Sequence, residues 1–188
     1  MRADALVILT RYYSDKKMIA GRTLLQKTLY FLSAKLESGL DFMPHYYGPY
    51  STEVTEVISS LRAAGIIEEK IERLLPFNFS VTFEPRRYTY QLTAIGGEIA
   101  SWMADKEKED AESIRSVLEE MKKLGAAHDY KNLSIAAKMH QILSIEDKEM
   151  TAEEILEEAE SIGWKIEEKE AESAINFLEK MKLIKIDT

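Results

Sequence analysis

At Gly65 the chain changes its period. Before it, apolar residues recur mostly every three or four positions; between it and Leu92 come the stretches in which they alternate with polar ones. Ala3–Tyr13 has Leu6, Leu9 and Tyr13 at helical spacing, and a second helix follows Gly21 as far as Leu36 on the stripe Leu25, Leu29, Leu32 and Leu36. Thr23-Leu24-Leu25-Gln26 has the spacing of a capping box at its start. Met43–Tyr47 reads as a short strand, Tyr47-Gly48-Pro49-Tyr50 as a turn, and Ser51 as the cap of a third helix. That helix turns Val54, Val57, Ile58, Leu61 and Ala64 inward and stops at Gly65.

Beyond the switch, Ile66–Ile71 reads as a strand. Phe79, Val81 and Phe83 alternate with polar residues, as do Tyr88, Tyr90 and Leu92, with Glu84-Pro85-Arg86-Arg87 as the hairpin turn between them. Helix, helix, short strand, helix and hairpin is the order of a winged helix, here with a wing enlarged around Leu75-Pro76-Phe77.

Residues 94–126 read as one or two helices, opening with Ile99, Trp102 and Met103. Ile114, Val117, Leu118, Met121 and Leu124 then form a narrow seam with charged flanks, and Gly125 marks a boundary. A weak repeat suggests a second unit. Moved by 117 positions, Val54, Val57, Ile58, Leu61 and Ala64 fall on Ala171, Ala174, Ile175, Leu178 and Met181, and Ile66-Ile67 on Leu183-Ile184, the start of a final strand. Helices over Asn132–Leu143 and Thr151–Ser161 precede it, the latter opened by a Thr151-x-x-Glu154 capping box. A generic amphipathic helix ending in a strand explains the same residues.

The expected fold is α+β and mainly α. It comprises a winged-helix domain over 1–97 with an enlarged β wing, a helical connector over 98–127, and an acidic helix-turn-helix or winged-helix-like unit over 128–188.

Composition narrows the function classes. Of 188 residues, 45% are apolar, enough for a core, and none is cysteine, which removes disulfides, thiolate metal sites and cysteine nucleophiles. No secretory signal or membrane span is visible, so a cytoplasmic protein that does not enter the membrane is expected. The net charge of −8 is unevenly spread: residues 1–97 carry 12 Lys/Arg against 10 Asp/Glu, and residues 98–188 carry 13 against 23. Phosphate contacts therefore belong to the first half.

Two stretches resemble known families. Tyr90-Gln91-Leu92-Thr93-Ala94-Ile95-Gly96 is similar to the wing exit "Y-x-L-T-x-x-G" of winged-helix regulators of the PadR and MarR kind. Tyr90 and Leu92 would pack inward while Thr93 caps the next helix. Leu25-Gln26-Lys27-Thr28-Leu29-Tyr30-Phe31 with Tyr47-Gly48-Pro49-Tyr50-Ser51 resembles the "L-Q-K-L-L-Y-F … G-P" pattern of the Panacea antitoxin-domain family and related uncharacterised prokaryotic proteins. The first resemblance implies DNA-binding transcription regulation. The second implies toxin neutralisation or an adaptor role through protein contacts, on the residues 20–67 that it covers.

Catalysis has little support. His45, His128 and His140 fall in different elements without metal-ligand spacing, Gly96-Gly97 is no phosphate loop, and acidic pairs such as Glu157-Glu158 lie on solvated faces. Neither enzymatic activity, a metal nor a cofactor is expected.

Two binding readings remain. For double-stranded DNA, Thr52, Thr55, Ser59 and Arg62 would face the groove, Arg86 and Arg87 would occupy the wing tip, and Lys16, Lys17, Arg22 and Lys27 would meet phosphates. Glu53 and Glu56 on the same helix oppose that reading. For a protein partner, His45, Tyr46, Tyr47 and Tyr50 around the turn, with Phe77 of the wing insert, would form the surface. The seam within 98–125 would pair two copies as a homodimer or pack on its own chain.

Overall fold

Helices α1 (Ala3–Tyr13), α2 (Arg22–Leu36) and α3 (Thr52–Ala63) come first, followed by strands β1 (Ile67–Arg73) and β2 (Arg86–Leu92). Then come α4 (Ala94–Lys106), α5 (Lys108–Lys123), α6 (Tyr130–Glu146), α7 (Ala152–Ser161) and α8 (Glu168–Lys180). The structure, a computed structural model, describes residues 1–14, 21–73, 86–125 and 130–185. Among these residues the protein is mainly helical, with one two-stranded antiparallel sheet.

Capping follows local chemistry at some helix starts. Ser51 accepts a hydrogen bond from Val54 N, Thr93 one from Gly96 N, and Thr151 and Glu154 form the reciprocal box their spacing predicts. At α2 the expectation fails: Gly21 is the N-cap, and no side chain caps the helix. Gln26 is buried and turns instead to the chain before α3. Its Nε2 donates to Ser51 O at 3.0 Å and its Oε1 accepts from Ser51 N at 3.0 Å. A buried amide takes the partners that satisfy both its ends, and Ser51 offers both.

The strands also depart from expectation. Met43–Tyr47 is not a strand; it keeps one bridge, in which Met43 and Tyr50 exchange two backbone hydrogen bonds of 2.9 Å. The strand containing Tyr88, Tyr90 and Leu92 pairs with β1, Ile67 facing Leu92 and Glu69 facing Tyr90. Arg86 and Arg87 do not form a turn. They open β2 opposite Arg73 and Glu72. Leu75, Pro76, Phe77, Phe79, Val81, Phe83, Glu84 and Pro85 lie outside the described residues. At the far end, residues 181–185 form turns rather than the expected strand at Leu183-Ile184.

The repeat survives in the helix that precedes that point. Gly65 (φ 70°) and Lys182 (φ 54°), 117 positions apart, both adopt the left-handed conformation. Ile66 N donates to Leu61 O at 2.9 Å, and Leu183 N to Leu178 O at 3.0 Å. Both helices thus end in the same hydrogen-bonded turn. Ala64, expected inward, is exposed within it.

One hydrophobic core runs from Leu6 to Met181. Helix α1 packs on α3, α4 and α5, α2 on α5 and α6, and α6 on α8 and α7. Phe31 of α2 is fully buried with its ring edge-on to Phe177 of α8 at 5.3 Å. The seam of α5 belongs to this core: Ile114, Val117, Leu118 and Met121 are all buried within the single chain. Of the two roles expected for the seam, these residues fill the one within their own chain. Trp102 of α4 points outward instead.

Candidate functional site

The Gly48-Pro49 turn is held from both halves of the chain. Lys27 of α2 donates to Pro49 O, and Gln26 clasps Ser51. From the other half, Trp164 Nε1 donates to His45 O at 2.9 Å and Gln141 Nε2 to Phe42 O at 3.1 Å. Gly48 is required twice over. Its φ is 91°, and a Cβ there would lie 3.0 Å from Lys138 Cγ and 3.3 Å from Lys27 Cε.

On this fixed backbone the side chains point outward. Met43 is 71%, Tyr46 72% and Tyr47 61% exposed. Tyr46 and Tyr47 meet edge to face at 4.9 Å, while His45 lies 5.2 Å from the ring of Tyr50.

Beside the turn, α2, α3 and β2 enclose a cleft of about 500 Å³. Its lining brings together residues from both binding expectations: Arg22, Lys27, Thr55, Ser59 and Arg62 from one, His45, Tyr47 and Tyr50 from the other. Gln26, Ile58 and Tyr90 are also among its walls. Among the described residues three basic side chains line it and no Asp or Glu does, in a chain of net charge −8.

Helix spacing explains how α3 manages this. Thr55, Ser59 and Arg62 follow one another at i, i+4 and i+7 and face the cleft. Glu53, Glu56 and Ser60 lie along the other edge, facing Met1–Asp4 across a separate groove of about 680 Å³. The acidic and cleft-facing residues of α3 are thus sorted to two sides.

Beneath the cleft sits Glu69 of β1, its side chain 4% exposed. Tyr90 donates to Glu69 Oε1 at 2.6 Å, Arg22 Nη2 lies 3.3 Å from that oxygen, and Arg62 Nη2 lies 3.1 Å from Oε2. Arg22 also donates to Tyr90 at 2.9 Å and stacks 3.9 Å above the Tyr88 ring. Burial alone would raise the Glu69 pKa, but the hydrogen bonds from Tyr90 and Arg22 and the charge of Arg62 outweigh it and leave it lowered. Burial works against the charge of Arg22 too, and its bonds to Tyr90 and Glu69 leave its pKa raised.

Lys27 departs most from its expected role. It is 2% exposed, its amine lying under the turn rather than at a phosphate-facing surface. Burial, and then the nearby charge of Lys138, lower its pKa to about 7. His140 is likewise buried, its Nδ1 2.7 Å from Tyr30 Oη, and burial lowers its pKa to about 4. Among the described residues no three His, Asp or Glu converge to hold a metal ion, and no helix is long and apolar enough to cross a membrane.

The other expected residues are scattered or undescribed. Thr52 is exposed at the start of α3 but does not line the cleft. Arg86 and Arg87 stand at the far end of β2 from Tyr90. Lys16, Lys17, His128 and Phe77 lie outside the described residues. Sequence reasoning missed Glu69, Gln26, Lys138 and Trp164 as parts of the site. Of these only Gln26 stood in a motif the sequence had singled out, Leu25-Gln26-Lys27, while the place of Glu69 across from Tyr90 depends on strand pairing. Comparison with known proteins finds no family model that matches the chain and no curated protein that is significantly similar to it.

Proposed function

We propose that this chain is a non-enzymatic binding protein that recognises a protein partner through the aromatic turn His45–Tyr50, carried on an N-terminal unit of winged-helix type. Support for the winged-helix reading comes from the order α1, α2, a bridge, α3, β1 and β2, with α1 packed on α3 and the strands paired directly after it. The observation that carries the partner reading is a trio of large side chains, Met43, Tyr46 and Tyr47, more than half exposed on a backbone pinned by both halves of the chain. Tyrosines on a rigid scaffold bury large area at little entropic cost, which is why they recur at interface hot spots.

The DNA reading has less to draw on. Lys27 is buried, Arg22 and Arg62 are both engaged by Glu69, and the exposed side of α3 includes Glu53 and Glu56. Carboxylates beside phosphates are unfavourable, and a buried lysine reaches no phosphate.

The test places a photo-crosslinking amino acid at Tyr46 in the protein expressed in its native host, with Glu172 on α8 as an exposed control position. A defined protein adduct at position 46, absent at position 172 and lost with Tyr47→Ala, is the expected result. The opposing result is no adduct at position 46, together with salt-sensitive binding of labelled duplex DNA that survives Tyr46→Ala/Tyr47→Ala.

A further inference from the structure

The cleft beside the turn is a second site, with its own chemistry. Arg22 and Arg62 flank one buried carboxylate from opposite oxygens. Each guanidinium carries five N–H donors, whereas a carboxylate offers about four acceptor positions, one of which Tyr90 occupies here. Donors therefore exceed acceptors, and two positive charges face a single negative one. Both arginines are anchored yet accessible, their side chains 59% and 44% exposed. Ser59 adds a hydroxyl from α3, and the rings of His45, Tyr47 and Tyr50 also line the cleft, the Tyr50 hydroxyl 2.8 Å from Thr55 Oγ1.

We infer that this cleft binds a small anionic ligand of mononucleotide size, a flat ring bearing one phosphate or carboxylate. The oxyanion takes the N–H groups of Arg22 and Arg62 that Glu69 leaves free on the cleft side, and the ring lies against Tyr47 and His45. A volume of about 500 Å³ falls within the range of small-molecule sites and leaves room for more than an isolated ion. Guanidinium forks suit both oxyanions, and their attachment to Glu69 and Tyr90 holds the forks in position before the ligand arrives. Among the described residues no acidic side chain lines the cleft, and the one carboxylate beneath it, Glu69, is outnumbered by the two guanidiniums it binds.

Calorimetric titration of the full chain tests this with adenosine 5′-monophosphate, adenosine, inorganic phosphate and benzoate. Ser59→Glu is the diagnostic variant: Ser59 is exposed, so the fold tolerates the change while a carboxylate enters the cleft. Arg62→Gln is the second, and circular dichroism confirms that both are folded. The expected result is binding of adenosine 5′-monophosphate or benzoate that weakens with salt and falls at least ~10-fold in Ser59→Glu. Which of the two binds decides between phosphate and carboxylate. Adenosine and inorganic phosphate alone should each bind at least ~10-fold more weakly, since each supplies half the contacts. No binding of either ring-bearing anion at millimolar concentration overturns the inference, as does binding that Ser59→Glu and Arg62→Gln leave unchanged. Tyr46 lies outside the cleft lining, so the protein carrying the photo-crosslinking amino acid at position 46 should form its partner adduct and still titrate as the native chain does. The two readings therefore fail separately.

Discussion

A lysine that is almost wholly buried beneath a proline carbonyl makes the protein sensitive to pH in a range where few side chains titrate. Lys27 has a pKa of about 7 in the fold against 10.5 for the free side chain, and burial is the main cause. Below pH 7 the folded and unfolded chains both hold the proton, so the full cost of burying a charge is present. Between about 7 and 10.5 only the unfolded chain holds it, and stability rises with pH across that window. Lys138, whose pKa burial also lowers, acts in the same direction. His140, lowered to about 4 from 6.5, acts below this window, where stability falls as pH drops from 6.5 toward 4. The melting temperature should therefore climb from pH 7 to 9 in the native sequence and climb less in Lys27→Met. Equal slopes by scanning calorimetry would show that Lys27 keeps its proton in the fold. None of this could be read from residues 25–31, where Lys27 stands at a position that looks polar. Its burial is set by the Gly48-Pro49 turn and by Lys138, more than 20 and 100 positions away in the chain.

Whole elements were more legible than their connections. The three- and four-residue spacing located the helices, and the alternation at Tyr88, Tyr90 and Leu92 located β2, because those signals are local. Pairing is not local, so the partner of β2 and the loss of the strand at Met43–Tyr47 came only with the fold. The join from β2 to α4 shows how closely a short motif can be tied to geometry. Thr93 donates to Gly65 O at 2.6 Å and accepts from Gly96 N at 3.0 Å, which fastens the start of α4 onto the end of α3. A Cβ on Gly96 would lie 2.1 Å from Ile66 O, a backbone atom that cannot step aside. Gly96→Ala should thus destabilise the protein by about 2–3 kcal/mol through overpacking. Gly97 has open space where its Cβ would stand, so Gly97→Ala should stabilise by about 0.5–1 kcal/mol through helix propensity. Adjacent, chemically identical substitutions of opposite sign in urea unfolding would bear out the packing at Ile66. A loss in both would assign the effect to glycine's backbone freedom instead.

For the whole molecule, the acidic second half is fastened to the first through its core as well as its surface. Phe31 meets Phe177, Tyr30 meets His140, and Lys35 of α2 reaches Met181 O at the end of α8 and lies 3.6 Å from Glu120 of α5. The same packing holds the candidate site, since Trp164 and Gln141 of the second half fix the backbone of the aromatic turn in the first. The repeat suggested a second helical unit but gave no sign of this joint, because a shift of register compares segments without saying which faces meet. Phe177→Ala measures the joint. It should cost about 3–5 kcal/mol, the usual loss for emptying a buried aromatic site. If the core is continuous, that loss is felt on the far side: amides of α1 and α2 should exchange with deuterium faster, alongside those of α6 and α8. Hydrogen exchange read by peptide distinguishes the outcomes. Faster exchange confined to residues 130–185, with α1 and α2 unchanged, would mean that the halves unfold independently. The aromatic turn would then owe its rigidity to α2 alone.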